Sequence, residues 1–393
     1  MTFSDEKLLR TDDVDAAPLL QGIIDWVEME TPPERPDMID LLLDHAQKGF
    51  AGMPVSARRY PPKGGKGGQL VVTYAPAGVT GKPVVMMGHI DTVWPVGTLA
   101  ERPVRREDDK VFGPGIFDMK AGSYLITETL RRIVAEGRIP PRPITLFLNG
   151  DEETGSHASR DVIEELCADA AFVLVPEPSF EAPGTVITRR KGIAMFKLMA
   201  TGRSAHAGGS LSEGRSAARE IARHLLEIEA LNETEPKASF NVGVIQGGTR
   251  SNMVPAHAEI EVDMRVEDMA TATRMVEAIL SRQAIGDGIT LKVEGELNRA
   301  PFEKSEKVAR LYAATQNLAA ALGLPMDETS RGGCSDGNIA AGLGAAVLDG
   351  LGCSGAGAHA LHEHILASTI APRAVLIHNM LMSPTFQSMA LDG

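Results

Sequence analysis

Strand-like and helix-like segments alternate through the first half of the chain, give way to a different rhythm, and then return. Residues 70–74 and 83–87 read as strands, 119–136 as an amphipathic helix, 144–148 as a buried strand, 158–167 as a helix and 171–175 as a strand. That alternation implies an α/β fold with a mostly parallel mixed sheet flanked by helices. Between 188 and 298 the order changes to strand 193–201, helix 215–231, strands 240–245 and 258–265, helix 270–283 and strand 290–294. This β-α-β-β-α-β order is that of an inserted ferredoxin-like α+β domain. A helix at 308–322, a strand at 345–348 and a C-terminal helix from 371 resume the first pattern. We therefore expect a discontinuous domain of residues 1–187 and 299–393, and an inserted domain of 188–298. The length of 393 residues agrees, because single cores stop growing below that size. The Pro- and Gly-rich patch 61–68 reads as a solvated turn.

Charge narrows the function. Against 39 Lys+Arg stand 52 Asp+Glu, a net charge of −13, which disfavours nucleic acid or an anionic membrane as the main partner. No run approaches the roughly 18 apolar residues of a membrane span, and the start lacks the basic-then-apolar order of a signal peptide. A cytoplasmic location is expected. Cys167, Cys334 and Cys353 are too few and too scattered for a disulfide framework or a zinc-thiolate knuckle. Any metal must then be held by histidine and carboxylates.

Four segments supply such groups: 88–92 with His89 and Asp91, 113–118 with Asp118, 150–155 with Glu152 and Glu153, and 176–178 with Glu177. Three of them directly follow predicted parallel strands, and in open α/β sheets ligands bind beyond the carboxyl ends of the strands. The fourth, with Asp118, is expected to begin a helix, whose N-terminus favours a carboxylate. Taken singly, each has an ordinary explanation as a hydrogen-bonded core histidine, a turn or a helix cap. Taken together, carboxylates gathered in one crevice repel one another and are costly to desolvate unless cations neutralise them. In the Glu152–Glu153 pair, one residue can bind metal while its neighbour serves as general base to water.

These segments, in order along nearly the whole chain, resemble the signature of the two-zinc aminoacylase and glutamate carboxypeptidase family, which includes acetylornithine deacetylase and succinyl-diaminopimelate desuccinylase. The resemblance implies that His89, Glu153 and Glu177 are terminal metal ligands, Asp118 the bridging carboxylate and Glu152 the general base. Asp91 is similar to the acid that orients a ligand imidazole. The last ligand is expected near the C-terminus, where His359, His362 and His364 are candidates. The family's spacing, a Gly-rich approach and then a Glu four residues after the His, selects His359, leaving His362 and His364 at the surface or behind the ligands.

In the inserted domain, the segment around His206 resembles the one through which a family dimer lends a histidine to its partner's active site, to stabilise an oxyanion. As a plain turn, the same segment would cap the helix near Arg215. Asn252 and Arg265 resemble substrate-holding groups, and Arg299, Arg331 and the loop 332–338 are expected at the substrate end. Bacterial glutamate carboxypeptidases place a lysine near the position of Thr185, and have Gly and Thr where this chain has Cys334 and Ser335. The chemistry is therefore better defined than the substrate.

The resemblance implies a discontinuous catalytic di-metal domain and an inserted lid and dimerisation domain, hinged near Thr188 and Asn298. It implies two divalent ions, zinc foremost with cobalt and manganese as alternatives, and a homodimer acting on a small molecule that has a free carboxylate. The expected reaction is hydrolysis of an amide next to that carboxylate, in peptides or N-acyl amino acids. An N-acyl amino-acid deacylase is the alternative, and a non-catalytic metal- or amino-acid-binding scaffold is a third reading.

Overall fold

The computed structural model describes residue 3 and residues 7–179 and 184–392. The chain divides into two compact units, one of Met1–Arg189, Lys304–Ser330 and Ser335–Gly393, the other of Arg190–Glu303 and Arg331–Cys334. Among the described residues, no helix is long and apolar enough to cross a membrane.

The first unit is built on a six-stranded sheet. Its spatial order is Ser56–Tyr60, Gln69–Tyr74, Ile144–Asn149, Val84–His89, Phe172–Leu174 and Val347–Leu348. The last four are mutually parallel, and the first two are antiparallel additions at one edge. Val84–His89 and Ile144–Asn149 are buried at every residue, as strands covered on both faces must be. Their side chains share a core with residues from helices Pro36–Lys48, Ala121–Ala135, Glu306–Leu322 and Ile370–Met382. The expected single C-terminal helix is in fact two. It stops at Ser383 and restarts as Pro384–Asp392, because proline cannot continue a helix but suits the first position of the next.

The second unit is a four-stranded antiparallel sheet in the order Ala238–Gly247, His257–Val266, Gly192–Thr201, Thr290–Arg299. Buried and more exposed residues alternate along Gly192–Thr201, the pattern of a sheet with one covered face. Helices Ala217–Glu229 and Met269–Leu280 supply the cover. Both start on a side-chain cap: Ser216 accepts from the Arg219 N–H, and Asp268 from the Thr271 N–H. This is the ferredoxin-like arrangement read from the order of elements.

Candidate functional site

Parallel strands deliver the first chemical groups. Val84–His89 ends on His89, Ile144–Asn149 runs into the short turn Glu152–Thr154, and Phe172–Leu174 leads to Glu177. Since these strands are neighbours in one parallel sheet, residues far apart in sequence emerge at the same end. His359 comes from a late loop, on a left-handed backbone with φ of 60°.

Asp118 stands in the middle. Its Oδ1 is 3.3 Å from His89 Nε2, which is itself 3.7 Å from Glu177 Oε1. Its Oδ2 is 3.4 Å from His359 Nε2, which is 3.3 Å from Glu153 Oε2. One carboxylate oxygen thus faces a His–Glu pair on one side and the other oxygen a second His–Glu pair. Ligand atoms of His89, Asp118 and Glu153 lie within 4.8 Å of one another.

The state of His89 tests whether this set fits cations. Its Nδ1 is 3.0 Å from the Asp91 carbonyl oxygen and 3.4 Å from the Asp91 carboxylate, two acceptors that place a proton on Nδ1. Nε2 is then free to present its lone pair, and this buried nitrogen has no hydrogen-bond partner among the described residues. Nitrogen and oxygen donors around an orphaned buried imidazole nitrogen fit a pair of divalent cations. Without cations the cluster retains protons. Hydrogen bonds to Asp118 and Glu153 push the His359 imidazole up to about 10. Burial pushes the Glu153 carboxyl up to about 7.

Asp91 also fixes the neighbouring turn. Its Oδ1 accepts the Glu152 N–H at 3.2 Å and its Oδ2 the Glu153 N–H at 3.0 Å. Asp91 therefore orients the His89 imidazole, chiefly through its backbone carbonyl, and fixes the two consecutive glutamates through its buried carboxylate.

Asp118 does not begin a helix, contrary to the expectation. It lies in an irregular turn, Ile116–Lys120, with φ −114° and ψ 97°, and the helix proper starts at Ala121. The Asp118–Met119 peptide bond is cis. What holds the turn is Glu363, whose two carboxylate oxygens accept from the Gly115, Phe117 and Asp118 N–H groups and from Trp94 Nε1, at 2.7–3.1 Å. Glu363 is wholly buried. In the sequence Glu363 stands out only by its spacing, four residues after His359. Nothing local signals that it reaches back about 250 residues to cap the Asp118 turn.

Of the other histidines in that stretch, His362 is exposed. His364 is buried in strand His364–Leu366, its ring 5.0 Å from that of Phe112. The loop 332–338 departs from expectation over its second half. Ser335, Asp336 and Asn338 are buried in a polar lattice, where Ser335 Oγ donates to Asp349 at 2.6 Å and Asp336 accepts from Asn149 Nδ2 at 2.8 Å and from Ser156 Oγ. These groups pack beneath the sheet ends instead of lining a surface, because their polar atoms satisfy one another.

In the second unit, His206 and Asn252 lie on adjoining loops: His206 bridges Met253, and the Ala207 N–H donates to the Asn252 carbonyl. Both residues are exposed. His206 Nδ1 accepts from the Gly208 and Gly209 N–H groups, each at 3.1 Å, so its proton sits on Nε2 and points away from its own loop. Arg265 is gripped by its neighbour, with Nε and Nη2 on the two Asp263 oxygens at 2.7 and 2.9 Å. Arg299 is buried and Arg331 half-buried.

The model of the Peptidase family M20/M25/M40 matches residues 85–383, and the chain belongs to that family. It is 31% identical over 310 residues to carboxypeptidase G2 of Pseudomonas sp. (strain RS-16), an alignment covering 77% of this chain and 74% of that protein. It is 29% identical over 329 residues to succinyl-diaminopimelate desuccinylase of Alkalilimnicola ehrlichii, covering 77% of this chain and 84% of the relative. A tripeptidase from Staphylococcus aureus shares the fold, with a TM-score of 0.77 at 21% identity over 96% of this chain and 99% of that one. The protein is thus a hydrolase of a metal-dependent peptidase family, and both the carboxypeptidase and the desuccinylase-like readings fit its relatives.

Proposed function

We propose that this hydrolase cleaves an amide bond adjacent to a free carboxylate, as a carboxypeptidase of the glutamate carboxypeptidase type acting on peptides or N-acyl amino acids. The observation that carries the reading is Asp118, with each carboxylate oxygen turned to a different His–Glu pair. On this reading His89 and Glu177 would hold one divalent ion and Glu153 and His359 the other, with Asp118 available to both, zinc being the first choice and cobalt or manganese the alternatives. Such ions, when bound, polarise the amide carbonyl and make water acidic enough to attack near neutral pH.

Glu152 takes the proton from the attacking water and returns it to the leaving nitrogen, while Asp91 holds the His89 ring and the Glu152 backbone in place. The unit containing these residues is the catalytic domain. The ferredoxin-like unit serves as lid and dimerisation domain, so that His206 is lent across a homodimer. Its outward Nε2–H is the donor an oxyanion requires. Asn252, Arg265, Arg299 and Arg331 hold the substrate carboxylate and its surroundings. The free cysteines suit a reducing, cytoplasmic compartment.

Elemental analysis coupled to a panel of dipeptides and N-acyl amino acids tests the reading. About two equivalents of transition metal and cleavage of peptides with free C-termini are expected. Cleavage confined to N-acyl amino acids with varied acyl groups selects the deacylase alternative, to which the desuccinylase relative lends support. No metal, and no activity after zinc or cobalt is added, refutes both.

Two further outcomes are expected. His206→Ala lowers kcat by about 10²–10³, the loss typical of one oxyanion donor, with metal content unchanged. Mixing that variant with Glu152→Gln restores part of the activity if the histidine is shared between subunits. Second, a binding cation must displace the protons held on His359 and Glu153, so metal affinity rises with pH between about 6 and 8. Calorimetry in buffers of different ionisation enthalpy measures the released protons, and a pH-independent affinity contradicts the arrangement.

A further inference from the structure

The carboxyl ends of three of the four parallel strands lead to the His–carboxylate cluster, whereas the amino ends of all four border a cavity of about 360 Å³. That size falls within the range of small-molecule sites. Lys82 lies just before strand Val84–His89 and Arg142 just before Ile144–Asn149, and both line the cavity. Lys307 and Arg310, from the first turns of helix Glu306–Leu322, line it as well. Four cations around one hollow are conspicuous on a chain of net charge −13.

Ordinary structural roles account for only two of them. Lys82 pairs with Asp169 at 2.7 Å. Lys307 Nζ donates to the Gly344 carbonyl at 2.9 Å, just past the end of helix Gly337–Gly342, where a cation is favoured. Among the described residues, no carboxylate pairs with Arg142 or Arg310, and the buried Arg310 Nε has no hydrogen-bond partner. Two guanidinium groups left facing one cavity attract a ligand that offers several anionic oxygens, which they can engage through paired N–H donors. Cys167, Ala346 and Leu391 give the same cavity an apolar side, with room for a short carbon skeleton.

We propose that this cavity is a binding site for a small multivalent anion bearing phosphate or carboxylate groups, with Arg142 and Arg310 as its main donors. It stands apart from the metal cluster by the length of the six-residue strand Val84–His89, roughly 20 Å, so it does not depend on the catalytic reading.

The test is calorimetric titration of the metal-stripped full chain, with pyrophosphate in one arm and citrate in the other. One saturable event is expected in at least one arm, and which arm responds distinguishes phosphate from carboxylate chemistry. Arg142→Met and Arg310→Met each weaken it about tenfold, the effect of losing one charge-assisted contact. Asp169→Asn, an exposed substitution with little risk to folding, frees Lys82 and tightens binding a few-fold. His359→Ala leaves it unchanged, whereas loss of the heat in that variant assigns the anion to the metal cluster and overturns the proposal. So does the absence of saturable binding in both arms, or binding indifferent to Arg142, Arg310 and Asp169.

Discussion

Exchanging Glu152 for glutamine is expected to lower kcat by about 10²–10⁴ while the protein keeps its metal and its stability. The substitution preserves shape, and the Glu152 backbone remains anchored to Asp91 Oδ1. Metal retention follows from the geometry, because it is the Glu153 carboxylate that approaches His359, at 3.3 Å. What disappears is a carboxylate able to accept a proton beside the cluster, and proton transfer by a placed side chain accounts for a rate factor of that size. Steady-state kinetics with metal analysis on the same preparation decide the matter. Activity equal to wild type removes Glu152 from the mechanism, and loss of metal together with activity makes it a ligand instead.

The second large effect belongs to Glu363. Glu363→Gln is expected to cost about 2–3 kcal/mol of stability and to reduce metal content. The carboxylate accepts four N–H donors, three of them from the backbone of the Asp118 turn. An amide in its place keeps one oxygen and sets an NH₂ group, which cannot accept, against N–H donors of the turn. The Asp118 N–H is among them, so the displaced turn carries the proposed bridging carboxylate with it. Denaturant unfolding and metal analysis read the two consequences separately. Trp94→Phe, which removes only one donor, serves as the graded control with a loss of about 1 kcal/mol. Unchanged metal binding in Glu363→Gln would show that the turn holds its shape without this cap.

The contrast between these two residues shows where sequence reading stops. Glu152 stands out as a candidate in the sequence because it sits in an acidic pair directly after an apolar strand, and a strand end in a parallel sheet is a place where chemistry collects. The same logic singles out His89, Glu153 and Glu177 as candidates. Asp118 was found through its motif but assigned the wrong local structure, since an apolar 3.6-residue period extended through Met119 says nothing about a backbone that has not yet become helical. Arg265 resembles a substrate-holding group, and the structure adds that Asp263, two residues away on the same face of the strand, orients its fork. That pairing was visible in the sequence as an i, i+2 neighbour.

Local pattern is enough to set out the order of elements, the ferredoxin-like insertion and the residue types available for a cation site, because hydrophobic period and strand-end position belong to short stretches of chain. The folded chain alone shows that Asp118 turns one oxygen to each His–Glu pair, that Glu363 closes the turn beneath it, and that Arg142 and Arg310 line one cavity at the opposite end of the sheet. Those relations join residues far apart along the chain. The free energy of a buried charge is set by which partners surround it in space, and no local pattern encodes that.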